Sequence, residues 1–164
     1  MKTLYLIGGP MGVGKTTACK ALKQLLPRAV MLDGDWCWDA DPFVVTAETK
    51  AMVEDNICHL LNNFLACSAY ENIIFCWVMD LPEIAASLLA RLHTDGCRVV
   101  QLSLVCSQEA LAERLERDIA AGLRQPDILP RSLARLPRFD ALDTVRLDTT
   151  ALTPQQTAQA IAQL

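Results

Sequence analysis

The chain has 164 residues, a length typical of one compact domain and too short for two large ones. Hydrophobic residues make up 52% of it and charged residues 21%, which excludes a disordered chain. The net charge of −4 gives no general attraction to nucleic acid or anionic lipid, so we expect neither as a partner. Any phosphate-binding site must therefore be local.

The cysteines and the first residues bear on the cellular compartment. The seven cysteines are odd in number, include no C-x-x-C pair and lie mostly within apolar runs, which argues against a disulfide scaffold or a zinc site. The first apolar stretch, residues 4–7, ends at a Gly-Gly-Pro turn and is too short for a signal peptide. No run approaches the length of a membrane span. We therefore expect a cytoplasmic protein with no membrane partner.

Apolar runs alternate with segments of helical period, a pattern typical of a parallel sheet flanked by helices. Strands are predicted over residues 3–7, 29–32, 72–79, 99–105 and 144–147. Helices are predicted over residues 15–26, 47–68 and 82–93, from an N-cap at Ser107 to near Gly122, and from Pro154 onward. The third strand is apolar without alternation, which predicts a central position in the sheet.

Two segments have no such regular pattern. Residues 36–45 are predicted to form a loop rich in aromatic and acidic side chains. Residues 123–139 carry four arginines and three prolines, a composition that favours a mobile basic segment over a core element.

A phosphate-binding motif lies between the first strand and the first helix. It fits G-x-x-x-x-G-K-[ST] and runs through Gly9, Pro10, Met11, Gly12, Val13, Gly14, Lys15 and Thr16, with Thr17 next. Glycines allow the backbone N–H groups to approach phosphate at a helix N-terminus. Lys15 is then expected to reach the β- and γ-phosphates, and the Thr16 hydroxyl to bind magnesium. The alternative is a glycine-rich turn that binds nothing.

This motif alone does not say what receives the phosphate. A GTPase would need N-K-x-D and D-x-x-G motifs, and neither occurs. Large remodelling ATPases need a longer chain. A compact kinase remains, in which the second strand and the segment after it face the acceptor.

Two carboxylates follow the second strand, at the edge where open α/β sheets bind ligands. Asp35 is expected to accept the proton of a substrate hydroxyl, and Asp33 to hold magnesium or bind another hydroxyl. A solvated Asp-Gly turn is the alternative. Trp36, Trp38 and Phe43 come next and form either the wall of a substrate pocket or local core.

Asp80 follows the third strand, where it is a candidate magnesium ligand and, equally, a candidate helix N-cap. Arg114 and Arg117 lie three residues apart on one helix, with Arg124 close behind. Guanidinium groups stabilise the charge of a transferred phosphoryl group, although acidic neighbours could equally pair with these arginines on a solvated face. Three further arginines are weaker candidates, namely Arg131, Arg135 and Arg138. The two histidines have no partner cluster and are expected to be structural.

Taken together, GGPMGVGKTT, LDGDWCW, NIIFCWVMD and ERLERD resemble the small P-loop kinases of the nucleoside/nucleotide and gluconate kinase group, over nearly the whole chain. The resemblance implies a three-layer α/β P-loop NTPase fold, with a parallel five-stranded sheet of order 2-3-1-4-5 and flanking helices. It also implies one domain, residues 1–164, with a small helical lid around residues 114–139.

The same resemblance assigns roles to residues. Gly12, Gly14, Lys15 and Thr16 match the ATP phosphate and magnesium site, and Asp35 matches the acceptor-side acid. Arg117 and Arg124 match lid arginines, and residues 148–150 would lie near the adenine. The sequence departs from shikimate kinases, since no G-G-x-G-G string follows the third strand, and it is shorter than most adenylate kinases.

The sequence thus predicts an enzyme that moves the γ-phosphoryl group of ATP, with Mg²⁺, to a hydroxyl of a small molecule such as a nucleoside, nucleotide, sugar acid or antibiotic. Its predicted catalytic residues are Lys15, Asp35, Arg117 and Arg124, with Arg114 binding ATP. Asp33, Asp35, Trp36 and Trp38 are predicted to bind the acceptor, and Thr16, Asp33 and Asp80 the metal. The alternative is a nucleotide-binding regulatory switch that acts through a protein partner. Either a monomer or a homodimer is compatible with the sequence.

Overall fold

A computed structural model describes all 164 residues of the chain. The five strands are β1 (Lys2–Gly8), β2 (Ala29–Asp33), β3 (Asn72–Cys76), β4 (Cys97–Val105) and β5 (Val145–Asp148). The six α-helices are α1 (Lys15–Leu25), α2 (Ala47–Ala66), α3 (Pro82–Leu89), α4 (Gln108–Ala120), α5 (Ile128–Arg135) and α6 (Pro154–Ala162). Two 3₁₀ helices cover Gly34–Cys37 and Leu136–Ala141.

The strands form one parallel sheet in the order β2-β3-β1-β4-β5, which confirms the predicted topology. β1 lies at the centre, where Tyr5 is in register with Ile74 of β3 and Val100 of β4. Because every strand points the same way, their carboxyl ends meet at one edge of the sheet. The predicted phosphate motif and the acidic pair both follow strands at this edge.

Helices cover both faces of the sheet, so the fold has three layers. On one face, Ile7 and Leu102 pack with Leu22 of α1, Leu111 of α4 and Ile161 of α6. The larger core on this face also receives Ile128 of α5. The helices α2 and α3 cover the other face, whose buried side chains include Leu6, Phe75, Ile57, Leu61 and Leu88.

Side-chain caps mark the starts of several helices. Ser107 precedes α4 and accepts a hydrogen bond from the N–H of Ala110, which confirms the predicted N-cap. Thr153 caps α6 in a capping box with Gln156, and Pro154 occupies the first turn. None of the helices combines the length and apolar character needed to cross a bilayer. All seven cysteines are free thiols.

Several element ends differ from the prediction. β3 ends at Cys76 instead of residue 79. Trp77 and Val78 still hydrogen-bond to the end of β1 and the residue after it, and Met79 then takes a positive φ of 43°. α3 ends at Leu89 instead of residue 93. Residues 34–37 form a 3₁₀ helix, where the sequence predicts a turn after the second strand and the start of a loop.

Residues 123–139, predicted as a mobile basic segment in preference to a core element, contribute buried side chains to the core, so that part of the prediction is wrong. The segment contains α5 and the start of the second 3₁₀ helix, and its arginines are exposed or half-buried. Phe139 and Ser132 are fully buried, and the Ser132 hydroxyl donates to the carbonyl of Met11 at 2.5 Å. The prolines occupy positions that need no backbone donor within a helix, so they do not prevent folding.

Candidate active site

The loop between β1 and α1 is shaped by glycines. Gly9 and Gly12 have φ values of 151° and 87°, which disfavour any residue with a side chain. A Cβ at Gly12 would lie 2.4 Å from Cδ2 of Leu115, and one at Gly9 would lie 2.7 Å from the carbonyl oxygen of Leu104. The loop is therefore fixed against β4 and α4. It leads into α1, whose N-terminus carries free backbone N–H groups suited to phosphate.

Lys15 lies across this loop. Its Nζ donates to the carbonyl oxygens of Gly9 and Pro10 at 2.8 Å and 2.9 Å. Burial lowers the pKa of Lys15 to about 8, and the nearby Asp35 and Asp33 carboxylates partly oppose this effect. The ammonium group is therefore positioned beside the phosphate loop but is poorly solvated, and an anionic ligand would stabilise its charge.

Thr16 and Asp33 form the next contact. The Thr16 hydroxyl donates to Oδ2 of Asp33 at 2.5 Å, and Oδ1 of Asp33 accepts from the N–H of Asp35 at 3.0 Å. Asp33 is only 6% exposed, so its charge faces the loop and not solvent. Two oxygen ligands of this kind suit Mg²⁺, which completes its shell with water and phosphate oxygens. No group of three or more His, Cys, Asp or Glu side chains forms a separate metal site.

Asp35 lies at the start of the first 3₁₀ helix. Its pKa is raised, first by desolvation of the carboxyl group and second by the negative charge of Asp33. The indole Nε1 of Trp77 donates to its Oδ1 at 3.2 Å. A Cβ at Gly34 would lie 2.5 Å from Cγ of Trp77, so the indole packs directly on this backbone.

Sequence reasoning missed Trp77 as a partner of Asp35. The available signal was its position directly after a buried strand adjacent to the strand that ends at Asp33. In a parallel sheet those two chain segments must leave the same edge side by side.

One cavity of about 510 Å³ collects most of the predicted residues. Its lining includes residues of the phosphate loop, both aspartates, three arginines and residues of the segment around α6. The principal lining residues are Lys15, Thr16, Thr17, Asp33, Asp35, Arg114, Arg117, Arg124, Leu152 and Thr157. Residues from β1–α1, β2, α4 and α6 thus meet at the carboxyl edge of the sheet. This placement makes the cavity the candidate active site.

The three arginines in the cavity have different surroundings. Arg114 donates from Nη1 to the carbonyl of Val13 at 3.1 Å and from Nη2 to the carbonyl of Thr149 at 2.7 Å, so it connects the phosphate loop to the segment after β5. Arg124 pairs with Asp118 at 3.0 Å. Arg117 is exposed and forms no ion pair, which leaves its guanidinium group free to meet a ligand.

The structure separates Asp80 from this cavity. Asp80 is 5% exposed, and its Oδ2 lies 2.6 Å from Nη1 of Arg138 and 3.7 Å from Nε of Arg135. Leu81 occupies the N-cap position of α3, so the alternative interpretation of Asp80 as that cap is wrong. With both guanidinium groups on its carboxylate, Asp80 is less suited than Asp33 to hold a metal. Arg131 pairs on the surface with Asp127.

The two tryptophans predicted to bind the acceptor do not line the cavity. Trp36 is 55% exposed, and Trp38 packs on Phe43 with ring centroids 4.5 Å apart. Trp38 also packs against the core that α2 and α3 cover. Their role as acceptor ligands stays a prediction.

Comparison with known proteins supports this fold. No protein with curated annotation matches the sequence significantly. Among solved structures, the Deinococcus radiodurans tunicamycin resistance protein superimposes with a TM-score of 0.71 at 23% identity, covering 99% of this chain and 95% of that one. A gluconokinase from Sinorhizobium meliloti 1021 gives 0.66 at 20% identity, with 96% and 90% covered. The Mycobacterium tuberculosis APS kinase, solved with AMPPNP and APS, gives 0.70 at 15% identity, with 99% and 96% covered.

The family comparison covers the phosphate loop, the acidic pair and the arginine-bearing helix. A family described as AAA domain matches residues 6–122, which is well over half of the chain. With the glycine-rich loop, the sheet order and the cavity already described, this match is decisive for the family. The chain belongs to the AAA domain family of P-loop proteins.

Proposed function

We propose that the protein is an ATP-dependent kinase that phosphorylates a hydroxyl group of a small molecule. The observation that carries the proposal is the cavity that brings Lys15 and Thr16 together with Asp35. A phosphate loop alone would suit any nucleotide-binding protein, whereas a carboxylate beside it supplies a proton acceptor for a second substrate. The folds of a gluconokinase and an APS kinase are similar over nearly the whole chain, which agrees with this reading.

The first task of the chain is to hold ATP. The N–H groups at the start of α1 and the ammonium group of Lys15 bind the phosphates in our proposal. Arg114 positions the loop through Val13 and fixes the segment at Thr149, where the cavity extends towards Leu152 and α6. We place the adenine at that end, because it is the less charged part of the cavity.

The second task is to hold magnesium. The Thr16 hydroxyl and the Asp33 carboxylate are the residues that would bind it, directly or through water. When bound, Mg²⁺ would neutralise charge on the phosphate oxygens. Asp33 also accepts the N–H of Asp35, so the same side chain orients the residue that meets the acceptor.

The third task is the transfer itself. The acceptor oxygen forms a bond to the γ-phosphorus, the bond from that phosphorus to the β,γ-bridging oxygen breaks, and ADP leaves. The hydroxyl proton passes to Asp35, whose raised pKa makes it a better base than an ordinary aspartate. Lys15, Arg117 and Arg124 face the charge that spreads over the transferred group.

The test is ATP consumption with Mg²⁺ against sugars, sugar acids, nucleosides, nucleoside monophosphates and hydroxylated antibiotics. One acceptor should raise turnover well above the hydrolysis background, and Lys15→Ala should abolish the increase. Asp35→Asn should lower transfer by about 10² to 10⁴ while nucleotide binding stays near wild type. Asp39→Asn, in the nearby exposed loop, is the matched control and should keep activity. Equal loss of ATP binding and transfer in Asp35→Asn would contradict the role given to Asp35.

A further inference from the structure

The charge at the acceptor side of the cavity differs from that at the nucleotide side. All four cationic residues that line the cavity are already assigned: Lys15 to the phosphate loop, Arg114 to backbone carbonyls, and Arg117 and Arg124 to the transferred group. Beyond Asp35, the chain presents aspartates and aromatic rings up to α2. An anionic acceptor would therefore need guanidinium groups from elsewhere at this edge of the sheet.

Two guanidinium groups do lie at this edge. Arg135 ends α5 and Arg138 belongs to the second 3₁₀ helix, whose Phe139 ring packs beside Gly8 at the end of β1. Both arginines contact Asp80, two residues after Val78, which itself lines the cavity. Asp80 is buried and accepts from Arg138 at 2.6 Å, so its full negative charge is directed at these two groups. The arginines are held in place and partly neutralised before any ligand arrives.

The segment between Asp35 and α2 exposes several apolar side chains. Trp36 is 55% exposed, and Phe43, Val44 and Val45 are each close to half exposed. Trp77, directly after β3, donates from its indole to Asp35. Contiguous exposed apolar side chains beside a polar site are typical of ligand-binding surfaces.

We propose, on the basis of the kinase function above, that the acceptor is an uncharged hydroxyl compound with an apolar face. Asp80 enforces this preference, because it occupies the guanidinium groups of Arg135 and Arg138 that would otherwise attract a carboxylate or phosphate. Asp80 is then a specificity-determining residue that need not touch the substrate. An anionic acceptor is disfavoured for two reasons: Arg135 and Arg138 are not free to attract it, and the negative charges of Asp33 and Asp35 repel it.

The experiment compares acceptors that differ only in charge. Suitable pairs are shikimate and methyl shikimate, gluconate and gluconamide, and 4-(hydroxymethyl)benzoate and its methyl ester. Two readouts are taken with each compound: Lys15-dependent transfer, and binding measured by tryptophan fluorescence in the presence of a non-hydrolysable ATP analogue. In the wild-type protein, the uncharged member of at least one pair should bind and should be favoured by about ten-fold or more over the acid.

The variants test the role of Asp80. Asp80→Asn should shift the preference towards the acid by about ten-fold, and Asp80→Asn combined with Arg138→Gln should restore the wild-type ratio. Asp80→Glu should keep the wild-type preference. If Asp80→Asn fails to fold, Arg138→Gln alone decides, because it should leave the wild-type ratio unchanged; a loss of binding by the acids in that variant overturns the proposal.

The readouts separate this inference from the kinase function. Absence of Lys15-dependent transfer with every compound would contradict the kinase function, while the fluorescence titrations would still rank the acceptors by charge. Tighter binding of the acids to the wild-type protein, an unchanged ratio in Asp80→Asn, or no binding by any uncharged compound would overturn the proposal.

Discussion

The hydroxyl of Thr16 and the carboxylate of Asp33 are joined by a hydrogen bond of 2.5 Å between α1 and the end of β2. This contact places the last residue of the phosphate loop against the first residue of the acidic pair. Because Asp33 also accepts from the N–H of Asp35, the nucleotide and acceptor sides of the cavity share one buried carboxylate. A change at Asp33 should therefore affect both the metal and the orientation of Asp35, whereas a change at Asp35 should affect mainly the acceptor.

Asp33→Asn should weaken the use of magnesium. The amide keeps the size of the side chain but loses the negative charge that favours the cation, and its single oxygen cannot accept from both the Thr16 hydroxyl and the N–H of Asp35. Loss of such a ligand or its orienting partner typically costs about 10- to 100-fold in metal affinity or activity. We expect the Mg²⁺ concentration for half-maximal ATP turnover to rise by that range, measured at fixed ATP. The exposed Asp55→Asn serves as control, and an unchanged magnesium titration in Asp33→Asn would exclude the assignment.

The pKa of Lys15 predicts proton uptake when nucleotide binds. Burial lowers that pKa to about 8, whereas bound phosphate favours the charged amine. Near about pH 8.5 the free protein holds mostly neutral Lys15, so ATP binding must draw a proton from solution, and affinity falls as pH rises. The folding stability of the nucleotide-free protein depends on pH in the opposite direction. Between about pH 8 and pH 10.5 Lys15 is protonated in the unfolded chain and mostly neutral in the folded one, so the free energy of unfolding rises with pH there.

Calorimetric titration in two buffers of different ionisation enthalpy measures this uptake directly. The proton uptake should disappear in Lys15→Met and persist in Lys20→Met, which alters an exposed lysine of the same helix. Identical heats in both buffers for the wild-type protein would show that Lys15 is already charged.

Arg114 and Arg117 should separate stability from catalysis. Arg114 donates to carbonyls of Val13 and Thr149, so Arg114→Ala should lower the free energy of unfolding by about 1.5 to 3 kcal/mol. Arg117 has no such partners, so Arg117→Ala should change stability by at most about 0.5 kcal/mol while lowering the transfer rate. Urea denaturation and steady-state kinetics on both variants provide the check. A large loss of stability in Arg117→Ala would contradict the proposal that Arg117 has no structural partner and acts only on the transferred phosphoryl group.

The regular elements and the phosphate loop were predictable because their signals are local. Strand-loop-helix order, glycine spacing and Lys15 all lie within a few residues of one another, and the sheet order followed from the resemblance. The partners of Asp35 and Asp80 were not predictable in the same way. Trp77 and Arg138 lie 42 and 58 residues away from them, and only the assembled sheet brings these side chains together.

The segment 123–139 shows a different limit. Its composition is basic and proline-rich, which favours a solvated segment when residues are counted without regard to position. Within the structure, the four arginines are exposed or half-buried while a few other positions, notably Ile128 and Phe139, are buried. A short helix can pack through a few apolar side chains on one face. The overall composition of a segment does not reveal them, because it ignores the order of the residues.

Phe139 provides the direct test of that correction. Its ring is fully buried beside Gly8, so Phe139→Ala should lower the free energy of unfolding by about 3 to 5 kcal/mol, as for other buried phenylalanines. Leu123→Ala, at a leucine that is 74% exposed in the same segment, should change it by less than about 0.5 kcal/mol. Denaturant unfolding of both variants gives the two values. If the segment were mobile, the two substitutions would have equally small effects, and amide hydrogens of α5 would exchange as fast as those of a free peptide.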